Sequence, residues 1–394
     1  MIPEIREQFN TNFDQSKYDA FVADIHRNNR QSLVFRVCET PLFLSDALRD
    51  KLIEAANDVM RVVRQPDFPD RCKNAIPAGM SVANETQHTH FLQVDFAICR
   101  DENGHLLPQL IELQGFPSLY AFQHYLDTKL REYFPIPDGF LPFFSGLNSE
   151  TYKEKLGKLL LGNSAPENVV LLELQPEQQK TRIDFYLTEQ YFGIPFVCVT
   201  DVYQRGNKLF YRQNGREIPI ERIYYRFIFD ELIRKNIQPG FDINADLDVE
   251  WVGHPNWFFK ISKHTLPLIN SKYCPQTYYL HELTSYPDDL ENYVLKPLYS
   301  FAGTGVQVDV TKAMLNEIDD RENYILQRKI EYAPLIKTPD EHARVEIRLM
   351  FIWDDKPILV NNLLRTSKGK MMGVDFNKNK TWVGSSLAYH RPEI

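Results

Sequence analysis

The chain has 394 residues, too many for one typical core, so two or three domains are expected. Hydrophobic residues make up 43% and charged residues 25%, the ordinary balance of a soluble globular protein. A net charge of −8 argues against a general electrostatic grip on nucleic acid but leaves room for a local basic pocket.

The five cysteines are scattered and form no Cys-x-x-Cys pair, which argues against a disulfide scaffold or a zinc site and for free thiols. The N-terminus, MIPEIREQFNTNFDQ, lacks an apolar signal region, and no run is long enough to cross a bilayer. The expected compartment is the cytoplasm.

In chain order, residues 1–80 read as helices and loops. Ser45 is a candidate N-cap for a helix over Asp46–Val63, where Leu48, Leu52, Ile53, Ala56 and Val59 form one apolar stripe. Gln65–Met80 is rich in proline and glycine and reads as a loop. Thr89–Ile98 alternates like a strand, Asp101–Gly104 is a turn, and Leu106–Leu113 returns as a second strand. Asp95, Glu112 and Gln114 then lie on paired strands, with Glu112 and Gln114 on one face. Two carboxylates and an amide oxygen form a donor set for Mg²⁺, although the same residues suit the solvated face of a hairpin. His88 and His90 share a face but have no third ligand nearby and read as structural.

A helix, a proline-rich loop at Pro135–Pro142 and a second helix with Ser149 as N-cap follow. Residues 163–167 read as a boundary. From Val169 the pattern is βαβ: a strand to Leu174, a helix over Gln178–Phe192, and a strand over Ile194–Val199. Strands at Leu209–Tyr211 and Ile218–Tyr225 flank Asn214-Gly215. No Gly-x-Gly-x-x-Gly follows the first strand, so a dinucleotide site is unsupported there. Arg226 suits a cleft or the surface equally. Lys260 and Lys263 fall in a helical segment. Tyr293–Asp309 reads as a hairpin, with Lys296 on its entering strand, Gly303 and Gly305 in its loop, and Val306–Val310 as its second strand. Strands follow at Tyr324–Gln327, Arg344–Trp353 and Ile358–Leu364. Arg365 closes the last of them before a mobile-looking Thr366–Gly373.

The order Asp95-Phe96, Glu112, Ser262-Lys263, Leu295-Lys296-Pro297 with its glycine loop, Gln327 and Arg365 resembles the ATP-grasp superfamily. The early acidic pair makes it similar to the circularly permuted type related to the synthetase domain of glutathionylspermidine synthetase. The likeness spans roughly Phe91 to Arg365 in scattered blocks. It implies an α+β, ATP-grasp-like fold with a small βαβ pre-ATP-grasp-type domain. The expected division is 1–164, carrying the acidic motif; 165–280, the βαβ unit; and 281–394, the lid and nucleotide-binding region.

The resemblance also implies roles. Lys263 and Lys296 contact the phosphates of ATP, and Gly303 and Gly305 let the lid loop close. The Gln327–Ile330 segment, including Lys329 and Ile330, offers hinge hydrogen bonds to adenine. Asp95, Glu112 and Gln114 bind Mg²⁺, and Arg365 and Arg348 stabilise the transferred phosphoryl charge. The implied chemistry is attack of a substrate carboxylate on the γ-phosphate of ATP, then displacement of the acylphosphate by an amine. The implied partners are small-molecule or peptide carboxylates and amines, with no nucleic acid and no membrane. Two departures stand out: Gln114 occupies the family's Asn position, and Gln93 occupies that of an Arg. They keep open a non-catalytic protein that binds nucleotide or peptide. A small-molecule kinase on the same fold shares the same site.

Overall fold

The computed structural model describes residues 2–299, 305–369, 372 and 374–393. Two helices, α1 (Pro3–Thr11) and α2 (Gln15–Asn28), precede α3 (Asp46–Val63), whose span is the expected one. Its apolar stripe packs into the main core, with Leu48, Leu52, Ala56 and Val59 buried. Ser45 precedes it in extended backbone, but its side chain makes no capping bond. Residues 65–80 are not all loop, since Phe68–Arg71 and Lys73–Ala75 form single helical turns.

Strands β1 (Phe91–Arg100) and β2 (Leu106–Gln114) form the expected hairpin. Helices α4 (Tyr120–Tyr133) and α5 (Ser149–Leu161) follow. Asn148, not Ser149, caps α5: it exchanges a capping box with Thr151, an arrangement that a run of polar residues leaves ambiguous in sequence. The βαβ unit is β3 (Val169–Glu173), α6 (Arg182–Phe192) and β4 (Phe196–Cys198). A three-stranded antiparallel meander over 203–220 follows. The expected single strand at Ile218–Tyr225 is broken at Glu221: its first part ends the meander, and β5 (Arg222–Tyr225) joins β3 instead. With β6 (Glu250–Val252) these strands make a parallel sheet in the order β6-β5-β3-β4.

Strands β7 (Thr277–Tyr279), β8 (Tyr293–Pro297) and β9 (Tyr324–Arg328) form a three-stranded antiparallel sheet with β9 in the middle. The expected second hairpin strand at Val306–Val310 does not form. Gln307 makes one isolated bridge to Leu295, after Gly305 turns the chain in the left-handed region at φ +75°. Gly303 lies outside the described residues. Strands β10 (Arg344–Trp353), β11 (Pro357–Ser367) and β12 (Gly384–Ser386) complete a five-stranded antiparallel sheet in the order β12-β11-β10-β1-β2. Arg365 does not close β11 but lies within it, opposite Glu346 and Ser385, because pairing with β12 extends the strand to Ser367. This sheet joins strands from the first and third expected segments.

One face of the five-stranded sheet is apolar. Val94, Phe96, Val345, Ile347 and Leu349 point into the main core. The opposite face packs Phe91, Met350, Ile352 and Leu363 into a second apolar core and carries a buried polar patch beside it at Gln93, Asp95, Glu346 and Arg348; along β1 every residue but Arg100 is buried. The fold is therefore mixed α+β. All five cysteines are free thiols, and among the described residues no helix is long and apolar enough to cross a membrane.

Candidate functional site

Antiparallel register builds the site in cross-strand rows. Asp95 sits opposite Arg348 on one side and Glu112 on the other; Gln93 sits opposite Gln114; Glu346 sits opposite Arg365. Period-two alternation puts all of them on the face away from the apolar core. The register shifts between Asp95 and Phe96, leaving Ile111 of β2 without a ladder partner. That bulge presents the Ile111 carbonyl to Lys296, whose Nζ donates to it at 3.2 Å. Lys296 also donates to Gln327 Oε1 at 2.5 Å, and Gln327 Nε2 donates to Thr277 Oγ1 at 3.1 Å. One lysine thus ties the three-stranded sheet to the five-stranded one.

Gly115 fixes how β2 leaves the site. A Cβ there would lie 2.6 Å from the Trp257 carbonyl oxygen, so only glycine lets the strand end pass the short helix Pro255–Lys260. Its N–H donates to the Ile261 carbonyl at 2.8 Å, anchoring the chain that leads to Lys263.

The central feature is a buried charge lattice. Asp95 is 1% exposed. It accepts from Arg348 Nε at 2.5 Å and Nη2 at 2.7 Å, and from Arg365 Nη2 at 2.8 Å. The same Arg365 Nη2 lies 2.8 Å from Glu346 Oε2, and Tyr332 donates to Glu346 Oε1. Arg348 Nη1 donates to Gln93 Oε1 at 3.0 Å, and Gln93 Nε2 donates to the Ser118 carbonyl at 2.8 Å. Gln114 closes the set. Its amide either donates to Gln93 Oε1 at 2.7 Å or, turned over, accepts from Arg348 Nη1 at 2.7 Å. Glu112 is the most open carboxylate, with 35% of its side chain exposed and Oε1 4.0 Å from Arg348 Nη2.

Burial and charge work against each other here. Burial acts to raise the Asp95 carboxyl, but the two arginines outweigh it and hold the group below the usual carboxylate range. At Glu346 burial wins and the carboxyl is raised, against the pull of Arg365. Burial pushes the Lys296 ammonium down to about 8, opposed by Glu112 and reinforced by Lys263. Lys263 is likewise lowered by burial and supported by Glu112.

The structure separates the two arginines. The donors of Arg348 are engaged by Asp95, Gln93 and the Glu112 side, whereas Arg365 keeps its Nε without a hydrogen-bond partner among the described residues. At the expected hinge, Gln327 is fully buried and its side chain serves Lys296. The Lys329 N–H already donates to the Asn292 carbonyl at 2.7 Å, and its exposed Nζ donates to the Glu291 carbonyl. Ile330 is half-buried beside it.

Asp95, Glu112, Gln114, Arg348 and Arg365 therefore meet in one cluster, with Lys296 and Lys263 beside Glu112. Sequence reasoning did not assign Glu346 or Tyr332. The alternation of Arg344, Glu346 and Arg348 was the available signal for Glu346, and nothing local marks Tyr332. Arg226 is buried, not superficial. It follows β5 where the chain, having left β3 towards β4, returns on the other side of β3, the place where open parallel sheets hold ligands. Its guanidinium lies over Phe116 at 4.8 Å and Phe185 at 5.4 Å, and its Nε and Nη1 have no partner among the described residues. Neighbouring Glu173 is pushed up to about 8 by burial, against the charge of Arg226.

The expected magnesium donors do not fit a divalent ion. Both Asp95 oxygens face guanidinium groups, and Gln114 is turned towards Gln93 and Arg348. Glu112 remains as a single carboxylate. Among the described residues, no three His, Cys, Asp or Glu side chains gather into a metal-holding group. Around Glu112 the charge is instead positive, from Lys263, Lys296 and Arg365.

No family model matches the chain, and no curated protein matches it. Among solved structures it is similar to a glutathione synthetase-like effector (GSS30) from Globodera pallida in its apo form. The sequence identity is 10%, the match covers 96% of this chain and 98% of that one, and the TM-score is 0.56. The likeness shows a glutathione synthetase-like fold.

Proposed function

We propose that the chain binds ATP between the three-stranded and five-stranded sheets, in the manner of an ATP-grasp protein, and uses it to join a carboxylate to an amine. The observation that carries this reading is Lys296. It is a buried ammonium whose two hydrogen-bond acceptors, Gln327 Oε1 and the Ile111 carbonyl, are neutral. No carboxylate bonds it among the described residues, and the nearby Glu112 is shared with Lys263, so the charge is costly to hold and a phosphate oxygen answers it.

In this reading Lys296 and Lys263 hold the phosphates, and Arg365 turns its unpartnered Nε edge to the transferred group. Arg348 and Glu346 keep Arg365 and Asp95 in place. Arg226 offers Nε and Nη1 to a carboxylate of the acid substrate at the crevice of the parallel sheet. The acid's carboxylate oxygen attacks the γ-phosphorus as ADP leaves, and the amine nitrogen then displaces phosphate at the acyl carbon, losing one proton. Positioning and charge neutralisation carry the rate, with no protein nucleophile. The test is ADP release from ATP across a panel of amino acids, short peptides and amines. Release that needs both an acid and an amine supports the ligase. Tight ATP binding without release under any pair supports the second reading, a nucleotide-binding protein without turnover. That reading is favoured by one observation: Gln93 places a neutral amide where the resemblance implies Arg, and Gln114 sets its amide one methylene further out than the implied Asn.

A further inference from the structure

We infer that this site neutralises the phosphates with the protein's own cations, so that nucleotide binding does not need a protein-held divalent ion. The inference rests on the ATP-binding reading above and concerns how that site handles charge. Four cationic side chains, Lys263, Lys296, Arg348 and Arg365, surround three carboxylates, Asp95, Glu112 and Glu346. Two of those carboxylates are already spent. Asp95 binds Arg348 through both oxygens and shares one of them with Arg365, and Glu346 faces Arg365 and Tyr332. Only Glu112 remains, and Lys263 and Lys296 both feel its charge.

Magnesium takes near-octahedral oxygen ligands and keeps several waters, and proteins usually hold it by one or two carboxylates together with the substrate's phosphates. Here the ion would enter beside four positive groups, with one shared carboxylate to offset them. A polyphosphate entering the same space meets the opposite balance. Its negative charge joins the two lysines and the open edge of Arg365 without displacing Asp95. Glu112 then opposes the anion, and is not its bridge through a metal.

The experiment is calorimetric titration of the full chain with ATP in EDTA and with ATP in excess Mg²⁺, repeated with inorganic tripolyphosphate and with the Glu112→Gln variant. The expected result is a Kd in EDTA equal to or lower than that in Mg²⁺, because free ATP carries more negative charge. Glu112→Gln should bind ATP in EDTA roughly three- to tenfold more tightly, since it removes a like charge from the site. ATP binding more than about tenfold weaker in EDTA, with the Mg²⁺ gain erased by Glu112→Gln, would overturn the inference while leaving the nucleotide reading intact. Tripolyphosphate binding in EDTA without ATP binding would overturn the nucleotide reading and the inference with it, leaving a site for polyphosphate alone. Binding of neither anion under either condition would remove both.

Discussion

Replacing Asp95 by Asn tests the buried lattice most directly. The native carboxylate, 1% exposed, accepts three charge-assisted hydrogen bonds from two guanidinium groups. Asparagine keeps the shape and one acceptor oxygen but carries no charge, so the buried Arg348 and the half-buried Arg365 keep only Glu346 and the distant edge of Glu112 to offset them. Removing one partner of a buried ion pair costs about 3–5 kcal/mol, and the retained acceptor places this variant near 3 kcal/mol. Urea unfolding followed by the fluorescence of Trp251, Trp257, Trp353 and Trp382 reads the change. With a slope on the order of 3 kcal/mol/M, the midpoint should fall by about 1 M. Glu112→Gln is the control: its carboxylate is one-third exposed and 4.0 Å from its nearest guanidinium nitrogen, so its loss should cost less than about 1 kcal/mol. An unchanged midpoint for Asp95→Asn, together with loss of Mg²⁺-dependent ATP binding, would refute the reasoning and return Asp95 to the role of metal ligand.

Other outcomes follow from the same geometry. Lys296→Ala removes a charge-assisted phosphate contact and should weaken ATP binding by roughly 1.5–3 kcal/mol, read by calorimetry; unchanged affinity would sink the assignment of Lys296. The Lys296 ammonium is depressed to about 8, so its charged form, and the anion affinity it provides, is present below that pH and lost above it. Its effect on folding has the opposite sense: because the folded value lies below the unfolded one of about 10.4, stability from this group rises as pH climbs between the two. Titrations at pH 7, 8 and 9 should show falling ATP affinity, and at pH 8 binding should take up about half a proton, seen as a buffer-dependent enthalpy. Asp95 has the usual carboxylate sign: its lowered pKa stabilises the fold above about pH 4 and is lost as acid protonates it, so Asp95→Asn should flatten that part of the acid-unfolding profile. Gly115→Ala should destabilise by about 1–3 kcal/mol, because its Cβ meets a backbone oxygen that cannot swing aside; wild-type thermal stability would show that the strand end is free to shift.

Much of this site is legible in the chain because strand alternation is local. Asp95, Glu112, Gln114, Arg348 and Arg365 each sit in a run whose period-two pattern gives the face, and the structure brings those faces together. What alternation cannot give is the partner across the ladder. Asp95 and Glu112 look like a cation site as long as the sequence is read as a hairpin. Once β10 is inserted beside β1, Arg348 stands directly opposite Asp95 and the carboxylate changes role. The same blindness explains Gln327, which reads as a hinge residue but buries its side chain against a lysine 31 positions earlier. Loop chemistry misled at Val306–Val310, where alternating residues suggest a strand. A strand needs a ladder to pair with, and only Gln307 finds one, at Leu295. The cap of α5 was displaced by one residue because Asn148 and Ser149 are both good caps and only the box with Thr151 chooses between them.

The lattice also sets an order on how the chain can fold as it is made. Asp95 meets Arg348 after 253 residues and Arg365 after 270. At typical synthesis rates of about 5–20 residues per second, roughly 15 to 50 s pass between them. Until then β1 has β2 but no β10. A strand that ends fully buried on both faces must wait with an open edge, an apolar face and an uncompensated carboxylate. The contacts that close the sheet are among the longest-range in the molecule, and such pairing is slow because loop closure precedes its reward. Truncation anywhere before β10 therefore does more than shorten the protein. It leaves the first half of the chain holding a charge it cannot bury and an edge it cannot cover, so such fragments should aggregate where the full chain folds.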